Sequence, residues 1–387
     1  MPDNWYMAPS DEAARAPLRW LLLATHVPES GTAGGMVRYA VELATALRER
    51  ADIALEVVAA TEARDFFVDH LGVAPDRVHA QRGGVMARSL FERTGRLGLD
   101  LDAFDVVHGT KHLLPRRVRG CALLTVHDLL PLDRPRDFSL AKRTILSPQY
   151  LASVGEADVL ACVSEATHAR LLAHRPGVAA RAAVVPLALS SSLVDATATR
   201  IDALGDQPFA LVVGDASRRK NLRFVASIWA AVCGRVPGAR LAVVGPQGWG
   251  RDSGLDQLAR LEAQGKVVRL GHVPDAQLRW AYEHAQVVLC PSLLEGFGLP
   301  ALEGVTFRAP VIASPDPALA EAAAGHATVA ALDDPRAWVD AVVAAWAHPR
   351  SVLPPLPTRR WSEVAAETVA LARGALTAAR NEAEPRS

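Results

Sequence analysis

Short apolar runs without polar alternation recur along the chain, separated by segments of helical period, and no other feature constrains the fold as strongly. In the first half the runs fall at 21–24, 53–59, 106–107, 123–126, 159–163 and 182–185. In the second half they fall at 210–213, 241–244, 267–270, 287–290, 311–313 and 328–330. Each is rich in Val, Leu or Ala on both faces, the pattern of strands covered on two sides by helices. Stretches between them, such as 37–48 and 225–233, carry apolar residues at helical spacing. Strand and helix alternating in this way, twice over, predict two parallel-sheet α/β domains.

A length of 387 residues accommodates two such domains. The break is expected between Pro186 and Pro208, where the chain turns Ser-, Ala- and Thr-rich. A second break is the cluster Pro349, Pro354, Pro355 and Pro357, which cannot be helix interior. After it, Val364, Ala365, Val369, Leu371, Ala372 and Leu376 predict a helix over 361–380 with no strand following, expected to pack across the domain boundary. The 42 basic residues equal the 42 acidic ones, which argues against nucleic acid as a partner and requires any anion to be held in a local pocket. Cys121, Cys162, Cys233 and Cys290 stand far apart without metal spacing and are expected as reduced thiols in a cytoplasmic protein. The first seventeen residues are expected to be a polar leader rather than a signal peptide. No apolar run is long enough to span a bilayer, and a peripheral membrane contact stays open. Nothing in the sequence sets an oligomeric state.

The stretch 287–303 is the most informative. A buried strand ends at Cys290, Pro291 and Ser292 turn the chain out, Glu295-Gly296-Phe297-Gly298 forms a loop, and Pro300 suits the first turn of a helix. Ligands of open parallel sheets bind at the carboxyl ends of the strands. There the Gly298 and Leu299 amides can meet an anion, aided by the helix dipole, and Gly296 and Gly298 permit close backbone approach. Glu295 and Glu303 would repel phosphate and suit the hydroxyls of a ribose and a sugar. A plain glycine turn would explain the loop alone, but not the two carboxylates. Arg218, Arg219 and Lys220 are expected to open a helix after the strand ending at Val213, so that cation and dipole act together on a diphosphate; a solvated charge run is the alternative. Gly34 and Gly35 lie between the first strand and first helix without the G-x-G-x-x-G pattern, which demotes a redox dinucleotide site. His127 ends a strand, as a site residue would, although a lone His is more often structural. His108 is a weaker candidate, and Asp128 is expected to orient a loop or cap a helix.

The Glu295…Glu303 pattern enclosing Glu-Gly-Phe-Gly-Leu-Pro resembles the E-x7-E signature of family 4 retaining glycosyltransferases, which have the GT-B fold. Gly34-Gly35-Met36-Val37-Arg38-Tyr39, Thr125-Val126-His127-Asp128, Val163-Ser164-Glu165, Gly214 with Arg219-Lys220-Asn221, Gly271-His272-Val273 and Arg360-Trp361 resemble further segments of that family. The resemblance implies two Rossmann-like domains facing a central cleft. Residues 1–187 with 361–387 would form the acceptor domain, its carboxyl-terminal helix crossing back, and 188–360 the nucleotide-sugar donor domain. It implies that Lys220 and Arg219 hold the leaving phosphates, that Glu295 positions the sugar hydroxyls, that Glu303 meets the ribose, and that His127 touches the transferred sugar. Val273 would meet the base through its backbone, and Gly34, Gly35, Gly296, Phe297, Gly298 and Leu299 complete the donor site. His127, Glu295 and Lys220 form the catalytic set. Asp215 stands where some members carry an arginine, which makes Lys220 the safer phosphate ligand. Acceptor contacts are expected from loops near Gly34, 88–96 and 111–119, the last preferred as a plain solvated loop.

The implied reaction moves a hexosyl group with retention, without metal or other cofactor, from a nucleotide-diphosphate sugar to a hydroxyl of a glycan, lipid-linked or small-molecule acceptor. GDP-mannose is the first expectation for the donor, then a UDP- or dTDP-sugar. An epimerase on the same fold and a non-catalytic sugar or nucleotide binder are the alternatives. Arg308, in a turn where relatives carry a small residue, finds no account in the sequence.

Overall fold

A computed structural model describes residues 16–32, 34–138, 140–246, 254–348 and 358–383. The opening polar segment up to Arg15 and the proline cluster at 349–357 lie outside them. The first lobe runs β1 (Leu18–Ala24), α1 (Gly34–Arg48), β2 (Ile53–Ala60), β3 (Val78–Gln81), α2 (Val85–Thr94), β4 (Val106–Gly109) and β5 (Cys121–Val126). It continues with α3 (Leu130–Asp133), α4 (Leu140–Glu156), β6 (Val159–Cys162), α5 (Glu165–His174) and β7 (Ala182–Val184). The short α6 (Ser191–Asp195) follows, leading to β8 (Phe209–Val213), α7 (Leu222–Arg235), β9 (Arg240–Val244), α8 (Leu255–Ala263) and β10 (Val267–Gly271). Next come α9 (Asp275–His284), β11 (Val287–Cys290), α10 (Leu299–Thr306), β12 (Val311–Ala313), α11 (Pro317–Ala322), β13 (Ala327–Val329) and α12 (Pro335–Ala347); α13 (Trp361–Ala383) ends the described chain.

Every apolar run expected as a strand overlaps one, and every residue of β4, β5, β6 and β11 is buried. The strand missed was β3: Val78-His79-Ala80-Gln81 lies at a sheet edge, half-exposed, and an edge strand has no need of a continuous apolar run. Residues 88–96, expected as a loop, belong mostly to α2 instead. Its buried residues are the charged Arg88, Glu92 and Arg93, whereas Val85, Met86 and Leu90 face solvent, so the apolar periodicity that marks a core-facing helix is inverted.

Both sheets are parallel throughout. Their orders are β3-β2-β1-β4-β5-β6-β7 and β10-β9-β8-β11-β12-β13. Strand order therefore reverses between β1 and β4 in one sheet and between β8 and β11 in the other. A crevice opens at the carboxyl ends of the strands at each reversal. One apolar cluster runs from Leu22 and Leu43 of the first lobe through Leu187 and Leu193 to Val288 and Ala301 of the second. The last helix belongs to that cluster as well, through Trp361, Val364, Val369 and Ala372, and packs on α1, β5 and β6. Trp361 anchors its start: the indole N–H donates to the Leu189 carbonyl at 2.9 Å, and the ring meets Tyr39 edge-on at 5.6 Å. The four cysteines are unpaired, three of them buried. No helix among the described residues is long and apolar enough to cross a membrane.

Candidate active site

The loops after β8 and β11 face each other across the second reversal. After β8, Arg218–Lys220 forms a single 3-10 turn, and Asn221 follows in the left-handed region at φ 55° before α7 begins at Leu222. The basic residues therefore precede the helix and do not open it. Asn tolerates the left-handed conformation and interrupts the helical hydrogen bonding, and its side-chain amide donates to the Pro291 carbonyl. Lys220 folds back over Gly214, where an added Cβ would lie 3.0 Å from the lysine Cε. The Leu293 amide donates to the Arg219 carbonyl at 2.7 Å, tying the two loops together.

After β11, Glu295 is buried against these cations. Its Oε1 accepts from Lys220 Nζ at 2.6 Å and from the Ser292 hydroxyl at 2.6 Å, and its Oε2 accepts from Arg219 Nη1 at 2.7 Å. Burial pushes the carboxyl pKa up, but Lys220, Arg219 and the hydrogen bonds outweigh it and hold the value at about 2. Sequence reasoning kept the carboxylate apart from the phosphate cations; in the folded protein it sits on both of them. A buried lysine beside a partly buried arginine calls for a counter-charge, and the carboxylate compensates their desolvation. Lys220 and Glu295 line a small cavity together with Gly214, Ser292 and Pro300.

Gly298 precedes α10 at φ 100°, a conformation that favours glycine, and an added Cβ would meet Leu319 at 2.9 Å. Phe297 is buried in the core, and Leu299 begins the helix. Glu303, one turn on, is buried and engaged elsewhere: Tyr282 donates its hydroxyl at 2.5 Å and Arg38 of α1 its guanidinium at 3.3 Å. Arg38 also reaches Asp275 at 2.9 Å, bridging the lobes. Val273 is buried just after β10. Gly34 and Gly35 are exposed at the start of α1, and an added Cβ on Gly35 would lie 3.7 Å from Leu299, so this loop faces the Glu295–Leu299 segment. Arg308 adopts φ 61° after α10, a position that asks for a residue without a Cβ and accounts for the small residue expected there.

In the first lobe His127 follows β5. Its Nε2 donates to the Thr110 carbonyl at 2.9 Å, and its ring stands edge-on to Tyr39 at 4.7 Å. Burial lowers its pKa, with the Thr110 hydrogen bond opposing, so the ring is neutral. His108 lies deeper, bonded to Thr125 at 2.8 Å and fully buried against Trp20, as a structural histidine would be. Asp128 accepts from the Leu130 amide at 3.0 Å, the turn-orienting role expected of it. In the basic segment 111–119, Arg116, Arg117 and Arg119 are exposed, whereas the charge of Lys111 acts inward on His26, His112 and His127.

The lobes meet at the site itself. An added Cβ on Gly296 would lie 1.8 Å from the His127 carbonyl oxygen. The Gly296 carbonyl accepts from the hydroxyls of Ser164, at 2.5 Å, and Thr167, at 2.8 Å, both at the start of α5. Glu321 returns the contact, accepting from the Glu165 and Ala166 amides. Thr167, Arg170, Asp316 and Tyr282 did not stand out in the sequence, and Ser292 did so only as a turn residue. Only Asp316 carried a local signal, as an N-cap before Pro317, and its side chain does accept from the Ala318 amide at 2.9 Å.

Residues 207–348 match a family model described as Glycosyl transferases group 1, and residues 33–191 one described as Glycosyltransferase Family 4. Between them the two matches take in most of the chain. O-antigen chain mannosyltransferase B of Escherichia coli is 27% identical over 270 residues, which is 67% of either protein. The sucrose-phosphate synthase from Thermosynechococcus elongatus superposes with a TM-score of 0.62 at 20% identity, over 95% of this chain and 100% of that one. WaaG, a glycosyltransferase involved in lipopolysaccharide biosynthesis, superposes with a TM-score of 0.63 at 15% identity, over 93% and 95%. Two parallel-sheet lobes facing each other in this way are the GT-B fold, and the protein is an enzyme of the glycosyltransferase class. Within that class the chain belongs to the family 4 glycosyltransferases, with mannosyltransferases among its relatives.

Proposed function

We propose that the enzyme transfers a mannosyl group from GDP-mannose to a hydroxyl of a glycan or lipid-linked acceptor, with retention and without a metal or other cofactor. The observation that carries this reading is the Lys220–Arg219–Glu295 cluster at the strand reversal, next to which Gly296 meets the His127 backbone of the other lobe. The diphosphate would take over one or both cations from Glu295, releasing the carboxylate to the sugar hydroxyls. As the bond from the anomeric carbon to the phosphate oxygen breaks, Lys220 and Arg219 stabilise the departing charge. The acceptor oxygen bonds to the anomeric carbon on the same face and its proton passes to the leaving phosphate, so no protein carboxylate forms a covalent bond. The mannosyltransferase relative supports the choice of sugar; UDP- and dTDP-sugars are the next donors to test. Glu303, Val273, Gly34 and Gly35 would complete the donor site as the family resemblance implies.

The reading predicts slow release of nucleoside diphosphate from the nucleotide sugar without acceptor. Lys220→Ala and Glu295→Gln should each lower turnover by about two to three orders of magnitude while the circular-dichroism spectrum is kept. Full activity in either variant refutes it, and interconversion of sugars without release would favour an epimerase.

A cytoplasmic enzyme meeting a lipid-linked acceptor at a membrane surface fits the exposed face of α2, where Val85, Met86 and Leu90 are solvent-facing. The Arg116 amide bonds to the Arg93 carbonyl at the end of α2, which joins the exposed arginines of 111–119 to that helix. Apolar residues beside a basic loop suit an anionic interface. Co-sedimentation with phosphatidylglycerol vesicles, lost in Val85→Ser/Met86→Ser/Leu90→Ser, tests this; equal sedimentation of wild type and variant removes it.

A further inference from the structure

We propose that Arg170, in the first lobe, is a positioning residue for the donor loop of the second. Its guanidinium Nη1 donates to the backbone carbonyl of Glu295 at 2.5 Å, and its Nη2 donates to Asp316 Oδ2 at 2.6 Å. The same Asp316 oxygen accepts from the Glu295 amide at 3.4 Å. One ion pair spanning the lobes therefore grips both backbone polar groups of Glu295. The pair is half-shielded to buried, with the Arg170 side chain 19% exposed and that of Asp316 7% exposed, so water competes with it only weakly.

The need for such a grip follows from the local structure. Glu295 lies in an irregular segment between β11 and α10. The direction of its side chain is set by two backbone dihedrals that no ladder hydrogen bond restrains. A planar guanidinium with two parallel donors supplies the missing restraint, because it fixes orientation as well as distance. Asp316 is itself held by capping α11. The chain of contacts from α5 through Arg170 to Glu295 and on to Lys220 and Arg219 is continuous. Arg170 thus adds to the hold of Lys220, Arg219 and Ser292 a backbone restraint that exists only while the two lobes are together, which couples lobe closure to donor geometry.

The proposal rests on Glu295 contacting the donor, and two measurements separate the two ideas. With GDP-mannose, UDP-glucose and dTDP-glucose as parallel donors, Arg170→Ala should raise the donor KM and lower kcat, for a combined loss of about tenfold to a hundredfold in kcat/KM. Arg170→Lys, which keeps the charge but not the fork, should recover only part of it. A residue that merely supports folding would reduce the active fraction and leave the donor KM unchanged, and that result overturns the proposal. Hydrogen exchange of the unliganded protein supplies the donor-independent measurement. Arg170→Ala should speed exchange of the Glu295–Leu299 amides by about tenfold while those of α7 keep their protection. Unchanged exchange in that loop overturns the proposal whatever the donor is. Loss of turnover in Glu295→Gln, beside unaltered kinetics in Arg170→Ala, refutes the positioning role alone. Full activity in Glu295→Gln, beside loosened exchange in Arg170→Ala, refutes the donor contact alone.

Discussion

Replacing Gly296 by alanine should separate lobe docking from lobe folding. The new Cβ would stand 1.8 Å from the His127 carbonyl oxygen and 2.9 Å from the carbonyl carbon. Both partners are backbone, so no side chain can turn away. The lobes must part by about 1.2 Å merely to bring this contact to 3.0 Å. That movement stretches the hydrogen bonds that Gly296 accepts from Ser164 and Thr167, now 2.5 and 2.8 Å, beyond useful range. Two such bonds are worth about 1–3 kcal/mol together. Gly296 is not in the left-handed region, so alanine brings no backbone penalty of its own. No apolar side chain is removed from the cluster the lobes share, and the thermal midpoint should fall by only a few degrees. Catalysis should suffer far more, because an offset of about 1 Å at a two-lobed site costs on the order of a hundredfold in kcat/KM. Release of nucleoside diphosphate from the nucleotide sugar, measured beside the melting curve, gives both numbers. Turnover within threefold of wild type would refute the claim that this contact sets the working geometry.

The ion pairs of Glu295 and the anchor of α13 each carry a further test. Glu295 is held at about 2 in the folded protein, below the 4.5 of a free carboxyl, so its ion pairs contribute fully above about pH 4.5 and that contribution is lost as pH falls toward 2. Urea midpoints between pH 6 and 3 should therefore decline, and Glu295→Gln should flatten the decline; parallel curves would contradict the ion-pair account. Trp361→Ala should cost about 3–5 kcal/mol, since it empties a buried ring site, removes the bond to Leu189 and frees the start of α13. A chemical-denaturation midpoint unchanged from wild type would show that α13 docks without its tryptophan.

The strands were legible because a strand buried on both faces needs apolar residues at every position, and such runs cannot be disguised. An edge strand faces no such demand, so β3 was missed, and α2 was missed because it buries Arg88, Glu92 and Arg93 and turns Val85, Met86 and Leu90 outward. The site was legible where a local motif carries it. Glu295, Gly296, Gly298 and Lys220 could be singled out from spacing around strand ends, and Gly298 bears a positive φ that only its place before α10 required. Asp316 carries a local Asp-Pro signal for a helix cap, which went unread, and no local signal for its hold on the donor loop. His108 looked like a site residue because it ends a strand; burial beside Trp20 makes it structural instead.

What the sequence by itself determined is the pair of parallel sheets and the loops at their carboxyl ends, because each depends on residues close together in the chain; the glycosyltransferase class entered through the resemblance of short motifs to a known family. The tertiary structure alone decided how those residues are paired. Glu295 rests on Lys220 and Arg219 across about seventy-five positions of chain, and Arg170 reaches its backbone from the other lobe, 125 positions away. Arg38 closes on Glu303 across 265. Such contacts arise from the order in which strands assemble and lobes meet. Local propensity carries no trace of them: the energy that selects them is the desolvation of buried charge, which exists only once the fold has excluded water.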